Sequence, residues 1–272
     1  MKNIDFIREL QDFTYLNWTD TKMSPGTPGC FLKAYEETDG VRYYYKLSNY
    51  DSYRGVFGHE CINELIVSRL MSALRIPHLE YQLIHALVLL EGKETETYIT
   101  RSVNFRKDDE RKVAFDVFYD LNKKENENPM DFANRCGWKN YIDQMIVIDY
   151  LICNRDRHGA NIEILVDAQG NARPAPLFDN GLSLLFSCYS DRESIENFDV
   201  IKDRPVNNFI GSKSLEYNLR FVDKKEVFHG NLKEEDREVL LGDLETILPC
   251  WHIEKIWTMI WERWNRYVQI CH

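Results

Sequence analysis

The sequence predicts an α+β protein of two lobes, the first rich in strands and the second mostly helical. Three observations lead to this prediction. Runs of β-favouring residues dominate residues 1–103, and apolar residues at helical spacing dominate residues 104–272. No linker rich in Pro, Gly or Ser divides the chain, so the two lobes are distinguished by their element types alone.

The first lobe is expected to hold two pairs of strands with one helix between them. Apolar residues recur at three- and four-residue spacing over Glu60–Leu74, which predicts the helix, and Pro77 helps to end it. Polar turns separate the members of each strand pair. The strands are expected at Cys30–Tyr35, Val41–Leu47, Tyr81–Leu90 and Thr97–Val103.

The second lobe is expected to be helical around one short hairpin. It begins with the charged segment Arg106–Asp131, which is expected on the surface. The helices are predicted at Trp138–Cys153, Leu232–Leu248 and Ile253–Ile270. The hairpin strands are predicted at Ile162–Val166 and Ala175–Phe178, with the turn at Asp167–Asn171.

Composition narrows the class of protein. With 44% hydrophobic and 29% charged residues, the chain has an ordinary soluble composition. A net charge of −10 without a dense Lys/Arg run argues against nucleic-acid binding and against an anionic membrane surface. The seven cysteines are scattered without C-x-x-C spacing, which argues against a zinc site. The first ten residues lack the apolar core of a signal peptide, so we expect a cytoplasmic protein.

The stretch Asp149–Leu185 carries the most informative pattern. Asp156 and Asn161 follow a predicted buried helix with the spacing D-x-x-x-x-N. Asp179 follows the predicted hairpin and stands two residues before Gly181. The joint pattern of helix, D-x-x-x-x-N, hairpin and D-x-G is more specific than any one of its parts.

Phosphoryl transfer explains why these residue types belong together. Mg²⁺ neutralises the negative phosphoryl oxygens and prefers hard oxygen ligands such as Asp and Asn. A separate carboxylate must orient the attacking hydroxyl and accept its proton. Protein kinases use D-x-x-x-x-N for the base and one metal ligand, and a later Asp before Gly for the second. We therefore assign Asp156 as the catalytic base, and Asn161 and Asp179 as metal ligands. The alternative is that Asp156, His158 and Asn161 only cap and turn a loop.

The first lobe supplies residues suited to hold a nucleotide. Gly26, Thr27 and Gly29 precede a strand, and glycine lets backbone N–H groups approach phosphates closely. Lys46 lies in the next strand, where kinases place the lysine that holds the α- and β-phosphates. Lys33 is the alternative for this role. Glu64 lies on the following helix, where the partner of this lysine is expected.

Two further residues have roles close to the catalytic loop. His158 is expected to support the loop or to touch the nucleotide phosphates, since no second His or Cys stands at zinc-ligand spacing. Asp149 lies on an otherwise apolar helix. A buried carboxylate needs partners, so we expect Asp149 to orient the catalytic loop through hydrogen bonds.

At these residues the sequence resembles the kinase domain of the HipA-type toxin kinases, a branch of the protein-kinase-like fold. The family carries a D-x-H-x-x-N loop, which Asp156, His158 and Asn161 match. Its later metal aspartate matches Asp179, and Asn63–Pro77 is similar to its lysine-partner helix. A more distant likeness links the same loop to phosphatidylinositol kinases.

The resemblance, which spans about Ser24 to Leu185, implies more than the residues alone. It implies a bilobal protein-kinase-like fold, ATP as donor, and serine or threonine as acceptor. It also implies an adenine-binding hinge at Thr100, Arg101 and Ser102, together with an antitoxin-type partner protein. The sequence departs from the family in its glycine loop and in lacking an additional N-terminal domain, which leaves antitoxin binding open.

Three functions follow from this pattern. The first is a protein serine/threonine kinase that uses ATP and Mg²⁺ and acts on a protein substrate or on itself. The second is a small-molecule or lipid kinase, although no basic or amphipathic membrane-facing segment supports a lipid substrate. The third is a nucleotide-binding pseudokinase scaffold, against which the intact set of Lys46, Asp156, Asn161 and Asp179 argues. Autophosphorylation, in the first case, is expected at Ser24, Thr27, Ser212 or Ser214.

Overall fold

In a computed structural model of the chain, the structure describes residues 5–20, 31–188, 191–223 and 227–271, with the side chain of Asp20 left out. The predicted glycine loop, including Gly26, Thr27 and Gly29, lies outside the described residues. The described strands are β1 (Phe6–Phe13), β2 (Thr19–Asp20), β3 (Leu32–Thr38), β4 (Val41–Leu47), β5 (Asn49–Asp51), β6 (Gly55–Phe57), β7 (Gln82–Leu90), β8 (Lys93–Val103), β9 (Arg111–Ala114), β10 (Asp156–Arg157), β11 (Glu163–Val166), β12 (Ala172–Pro174) and β13 (Asn207–Asn208). The described helices are α1 (Glu60–Ala73), α2 (Phe115–Asn122), α3 (Pro129–Arg135), α4 (Lys139–Leu151), α5 (Arg192–Glu196), α6 (Leu215–Asn218), α7 (Asp236–Leu241) and α8 (Cys250–Cys271).

One twisted sheet organises the first part of the chain. Within the described ranges its strand order is β1-β7-β8-β4-β3-β2, with β1 and β7 parallel and the other neighbours antiparallel. The hairpin between β3 and β4 turns through two residues, Asp39 and Gly40, whose φ angles are 53° and 75°. Two successive positive φ angles define a type I′ turn, whose twist matches that of the flanking strands.

Helix α1 packs between this sheet and the rest of the molecule. Leu65, Ile66 and Leu70 are fully buried in the larger hydrophobic core. The helix ends where Arg75 adopts a left-handed φ of 57° and the Ile76 N–H donates to the Met71 carbonyl at 2.9 Å. This is a Schellman ending, and it places the helix end close to the position predicted from the apolar spacing.

The part of the chain after β8, which we call the helical part, is built around α4. Two helices flank α4, namely α6 and the long C-terminal helix α8. The segment Arg106–Asp131, predicted to lie on the surface, instead contributes to the core through Phe115 and Tyr119. Their rings pack edge-on against Phe132, because aromatic side chains among charged ones still bury a large apolar area.

Three element predictions need correction. Strand β1 was not predicted, because its charged residues obscure the alternation and its partner β7 lies far along the chain. The second hairpin strand is β12, since Val166 pairs with Ala172 across a short turn, and residues 175–178 continue as irregular chain. The predicted helix Leu232–Leu248 is only α7, followed after Gly242 by a 3-10 turn.

The α+β prediction is confirmed, with a strand-rich first part and a helical second part. The boundary proposed at residue 103 coincides with the end of β8, and the division into two lobes there remains a proposal. Among the described residues, no helix has the length and apolar character needed to span a bilayer.

Candidate active site

The predicted catalytic loop follows the C-terminal end of α4. Cys153 adopts a left-handed φ of 54°, and the Asn154 N–H donates to the Asp149 carbonyl at 2.9 Å. This Schellman ending turns the chain sharply. The next residues form β10, in which Asp156 pairs in register with Asn207 of β13.

Arg157 anchors this loop from inside the protein. Its side chain and that of Asp149 are each 1% exposed, and their closest N–O distance is 2.8 Å. The same guanidinium donates to the Asn180 side chain at 2.7 Å and to the Phe178 carbonyl at 3.1 Å. One buried cation therefore fixes the loop of Asp156 relative to both α4 and the chain around Asp179.

Asp149 has the partners that its position on an apolar helix demands. Besides Arg157, the Asn154 amide donates to its Oδ1 at 2.9 Å. Both partners belong to the loop that follows α4. The carboxylate thus orients that loop, as its isolated charge predicts.

Asp156 itself remains accessible. Its side chain is 36% exposed, the Asn207 amide donates to its Oδ1 at 3.3 Å, and His158 Nε2 lies 3.8 Å from its Oδ2. A carboxylate held by only weak contacts and open to solvent can accept a proton from an incoming hydroxyl.

Asn161 is oriented by the loop that carries Asp156. Its Nδ2 donates to the Asp156 carbonyl at 2.8 Å, and its own carbonyl accepts from Arg157 at 3.3 Å. Among the described residues, nothing donates to its side-chain oxygen. The amide is therefore turned so that this oxygen is available to a cation.

Lys46 joins the sheet to the helical part. It lies on β4, and its Nζ is 3.2 Å from Glu64 Oε1 on α1 and 2.5 Å from Asp179 Oδ1. Glu64 is fully buried, while the side chains of Lys46 and Asp179 are 13% and 26% exposed. Three segments that are distant in sequence thus meet at one ammonium group.

Electrostatics sets the charge state of this group of three. Burial lowers the pKa of Lys46, but the charges of Asp179 and Glu64 outweigh it and hold the pKa well above its ordinary value. Burial raises the pKa of Asp179, yet Lys46 and Lys33 overcome this and bring the pKa below its ordinary value. For Glu64, burial dominates and raises the pKa. Asp179 is therefore the firmly ionised carboxylate.

Helix α1 and the chain after Asp179 are locked together. The Asn180 N–H donates to Glu64 at 2.9 Å, and the Asn63 amide donates to the carbonyls of Gly181 and Ser183 at 3.0 and 3.1 Å. A Cβ at Gly181 would lie 3.1 Å from the Glu60 Cβ and 3.2 Å from the Glu60 carbonyl oxygen. The close packing of the helix therefore favours glycine at this position of the D-x-G pattern.

The predicted hinge residues Thr100, Arg101 and Ser102 lie inside β8. Thr100 and Arg101 pair with β4 on one side and β7 on the other, and Ser102 pairs with Tyr44 of β4. Thr100 stands directly opposite Lys46, which places these residues beside the lysine. Their role in binding adenine stays a prediction.

The structure therefore assembles two groups of predicted residues. One contains Lys46, Glu64 and Asp179, and the other contains Asp156, His158 and Asn161. Arg157 connects them, a role that the sequence does not predict. A buried carboxylate such as Asp149 needs a partner, but its sequence context does not identify Arg157 as that partner.

The contacts of Asn63 and Asn180 were also missed. Both residues stand next to predicted site residues, Asn63 before Glu64 and Asn180 after Asp179. Their amides act across segments, so only the packing of α1 on the loop reveals their roles.

Several solved structures are similar to this fold, and two of them are compared with the chain. The proinflammatory kinase CtkA of Helicobacter pylori matches with a TM-score of 0.60 and 17% identity, over 97% of each chain. HipA of Shewanella oneidensis MR-1, in its toxin–antitoxin complex with HipB and operator DNA, matches with a TM-score of 0.50 and 15% identity. That match covers 93% of this chain and 68% of the other. No protein-family model and no curated protein sequence matches the chain. The chain therefore has a HipA-type fold, a branch of the protein-kinase-like fold.

Proposed function

We propose that the protein transfers the γ-phosphoryl group of ATP to a serine or threonine hydroxyl of a protein. The observation that carries this proposal is the meeting of Lys46, Glu64 and Asp179 from three separate segments, bound to the loop of Asp156 through Arg157. Each of these residue types has a task in phosphoryl transfer.

Binding of the nucleotide is assigned to the sheet side of the site. Lys46 is a charged donor held in place by Glu64, so its position is fixed before ATP arrives. Because the side chain is already ordered, less conformational entropy is lost when the nucleotide binds. The predicted glycine loop, Gly26, Thr27 and Gly29, would cover the phosphates, with adenine near Thr100, Arg101 and Ser102.

The residues present fit a magnesium ion. Asp179 offers an ionised carboxylate and Asn161 an amide oxygen without a donor among the described residues. Both are hard oxygen ligands, and Mg²⁺ commonly takes only one or two protein ligands, with water and phosphate oxygens as the others. When bound, the ion would neutralise charge on the β- and γ-phosphoryl oxygens.

The chemical step is assigned to Asp156. The acceptor hydroxyl oxygen forms a bond to the γ-phosphorus as the bond from that phosphorus to the β–γ bridging oxygen breaks. The bridging oxygen keeps the electron pair and leaves as part of ADP. Asp156 orients the hydroxyl and takes its proton, while Asn207 and His158 flank the carboxylate.

The acceptor is the least constrained part of the proposal. Ser212 and Ser214 donate their hydroxyls to Asn218 and Asp203, so each would have to leave an existing hydrogen bond before accepting a phosphate. Ser24 and Thr27, which lie outside the described residues, remain the other two candidate sites of autophosphorylation. An antitoxin-type partner is part of the same proposal, supported by the presence of HipB beside HipA in the similar structure.

Transfer of label from γ-labelled ATP tests this function. Wild type, Asp156→Asn and the exposed control Asp109→Asn are incubated with Mg-ATP and a cell lysate. We expect label on protein serine or threonine with wild type and with the control. Asp156→Asn should transfer at least about a hundredfold more slowly while binding ATP nearly as well.

Other results would redirect the proposal. Label that appears only in lipid or small molecules would replace the protein substrate. ATP binding without any transfer would favour a scaffold, and wild-type transfer by Asp156→Asn would remove Asp156 from the mechanism.

A further inference from the structure

A second lysine stands directly opposite Lys46 in the sheet. Lys33 of β3 and Lys46 of β4 are paired residues of an antiparallel ladder. Directly opposite residues project from the same face, with Cβ atoms about 4.5–5.5 Å apart. Because Lys46 reaches Asp179 from that face, Lys33 extends toward the same group.

The surroundings of the two lysines differ. Lys46 contacts two carboxylates, whereas the ammonium group of Lys33 has no ion pair within the described ranges. The Lys33 charge nevertheless acts on Asp179, Lys46, Lys112 and Glu163. Of these, Glu163 already forms an ion pair with Lys112, at 3.1 Å.

The two ammonium groups repel each other, while the carboxylate of Asp179 attracts both of them. Like charges directly opposite each other in a sheet destabilise it. Lys33 is half-buried, and burial lowers its pKa because it separates the ammonium group from part of its water. A cation kept in such a place is suited to an anionic ligand that replaces the lost water.

The position of Lys33 indicates which anion this would be. Asp179, the proposed metal ligand, is the acidic group whose charge acts most strongly on Lys33. A metal ion held by Asp179 would neutralise negative charge on the terminal phosphates of a nucleotide. Lys33 is the second residue of β3 and pairs with Lys46, so it lies beside the lysine to which phosphate binding is assigned.

We propose that Lys33 is a second phosphate-binding lysine, which holds the terminal phosphates of the nucleotide while Lys46 holds the inner ones. This inference rests on the proposed function. It adds a second cation beside Lys46, whose ammonium group also donates to Glu64 and Asp179.

Affinities for three nucleotides test the role of Lys33. Dissociation constants for ATP, ADP and AMP, each with Mg²⁺, are measured for wild type, Lys33→Gln and Lys33→Arg. The control is Lys93→Gln, at the exposed start of β8. A hydrogen bond to a charged group is worth enough to expect that Lys33→Gln loses about tenfold or more in ATP affinity. For AMP we expect a change below about twofold, and Lys33→Arg should recover most of the ATP affinity.

Each other outcome overturns the inference. ATP binding by Lys33→Gln within about twofold of wild type would make Lys33 only a counter-ion to Asp179. Equal losses for ATP and AMP would indicate a general disturbance of the site. If Lys33→Gln does not fold, Lys33→Met provides the same comparison with its apolar stem retained. If wild type binds no nucleotide, the proposed function is wrong as well. If wild type binds ATP but Lys33→Gln shows no selective loss, only the role of Lys33 is wrong.

Discussion

Two buried ion networks meet at this site, and they differ in how far water reaches them. Arg157 and Asp149 are each 1% exposed and pair only with groups inside the protein. Lys46 and Asp179 are 13% and 26% exposed, and their charges face the place where a ligand would bind. We call the network of Arg157 and Asp149 the closed network, because it fixes the positions of chain segments inside the protein. We call the network of Lys46, Glu64 and Asp179 the open network, because the charges of Lys46 and Asp179 are accessible to a ligand.

The closed network should dominate stability. Removing one partner of a buried pair leaves an uncompensated charge, which typically costs about 3–5 kcal/mol. We expect this loss in the free energy of unfolding for Arg157→Met and for Asp149→Leu, measured by urea denaturation. The double variant should lose less than either single one, because no charge is stranded. Losses below about 1 kcal/mol in the single variants would show that the pair is not a structural anchor.

The open network should instead control the response to ligand. A ligand present at a hundredfold excess over its Kd stabilises the folded state by about 2.7 kcal/mol. Asp179→Ala should lose the magnesium-dependent part of this gain, as seen in thermal unfolding with ATP and with or without Mg²⁺. Asp109→Ala is the matched control. An unchanged magnesium response in Asp179→Ala would remove Asp179 from the metal site.

Substitution of Lys46 tests most directly whether the open network serves binding more than stability. Lys46→Met should weaken ATP binding by about tenfold or more, because a hydrogen bond to a charged phosphate is lost. Its loss of unfolding free energy should be smaller than that of Arg157→Met, since Glu64 can take up a proton and Asp179 is partly hydrated. Calorimetry for binding and urea denaturation for stability give the two numbers. A loss of stability equal to that of Arg157→Met would contradict the division into open and closed networks.

Acid should affect the open network through Asp179. Its pKa in the folded protein lies below the value of about 3.9 expected in the unfolded chain. The stability that it contributes is therefore fully present above about pH 4 and declines as the pH falls toward 2. Asp179→Asn should flatten the stability profile in this range by about 1–2 kcal/mol. An identical slope in wild type and variant would speak against the low pKa.

Local patterns explain which elements could be predicted. Strand β4 and helix α1 follow directly from β-favouring residues and from apolar spacing, and the structure places them at or within one residue of the predicted bounds. Strand β1 depends on a parallel partner more than seventy positions away, so its own residues do not identify it. The core role of Phe115 was missed for a similar reason. Its aromatic partners include Phe132 of α3 and Phe209, which directly follows β13, so they come from separate parts of the chain.

In the candidate site, too, only residues with a local sequence pattern could be predicted. Asp156, Asn161 and Asp179 could be proposed because their chemistry and spacing are local properties of the chain. Arg157 could not, since an arginine between an aspartate and a histidine gives no sign that it is buried. Its role depends on Asp149, Phe178 and Asn180 converging on one guanidinium, which only the packed chain provides.

The tight packing at Gly181 has a consequence for regulation. Helix α1 packs so closely on the chain after Asp179 that a methyl group at Gly181 would require its neighbours to shift, and the amide of Asn63 donates to two carbonyls there. A rotation of α1 that carried Glu64 away from Lys46 would also have to break its hydrogen bonds to Asn180, Gly181 and Ser183 or move Asp179, the proposed metal ligand, with it. A change in the position of α1 would therefore alter the lysine pair and the proposed metal ligand together.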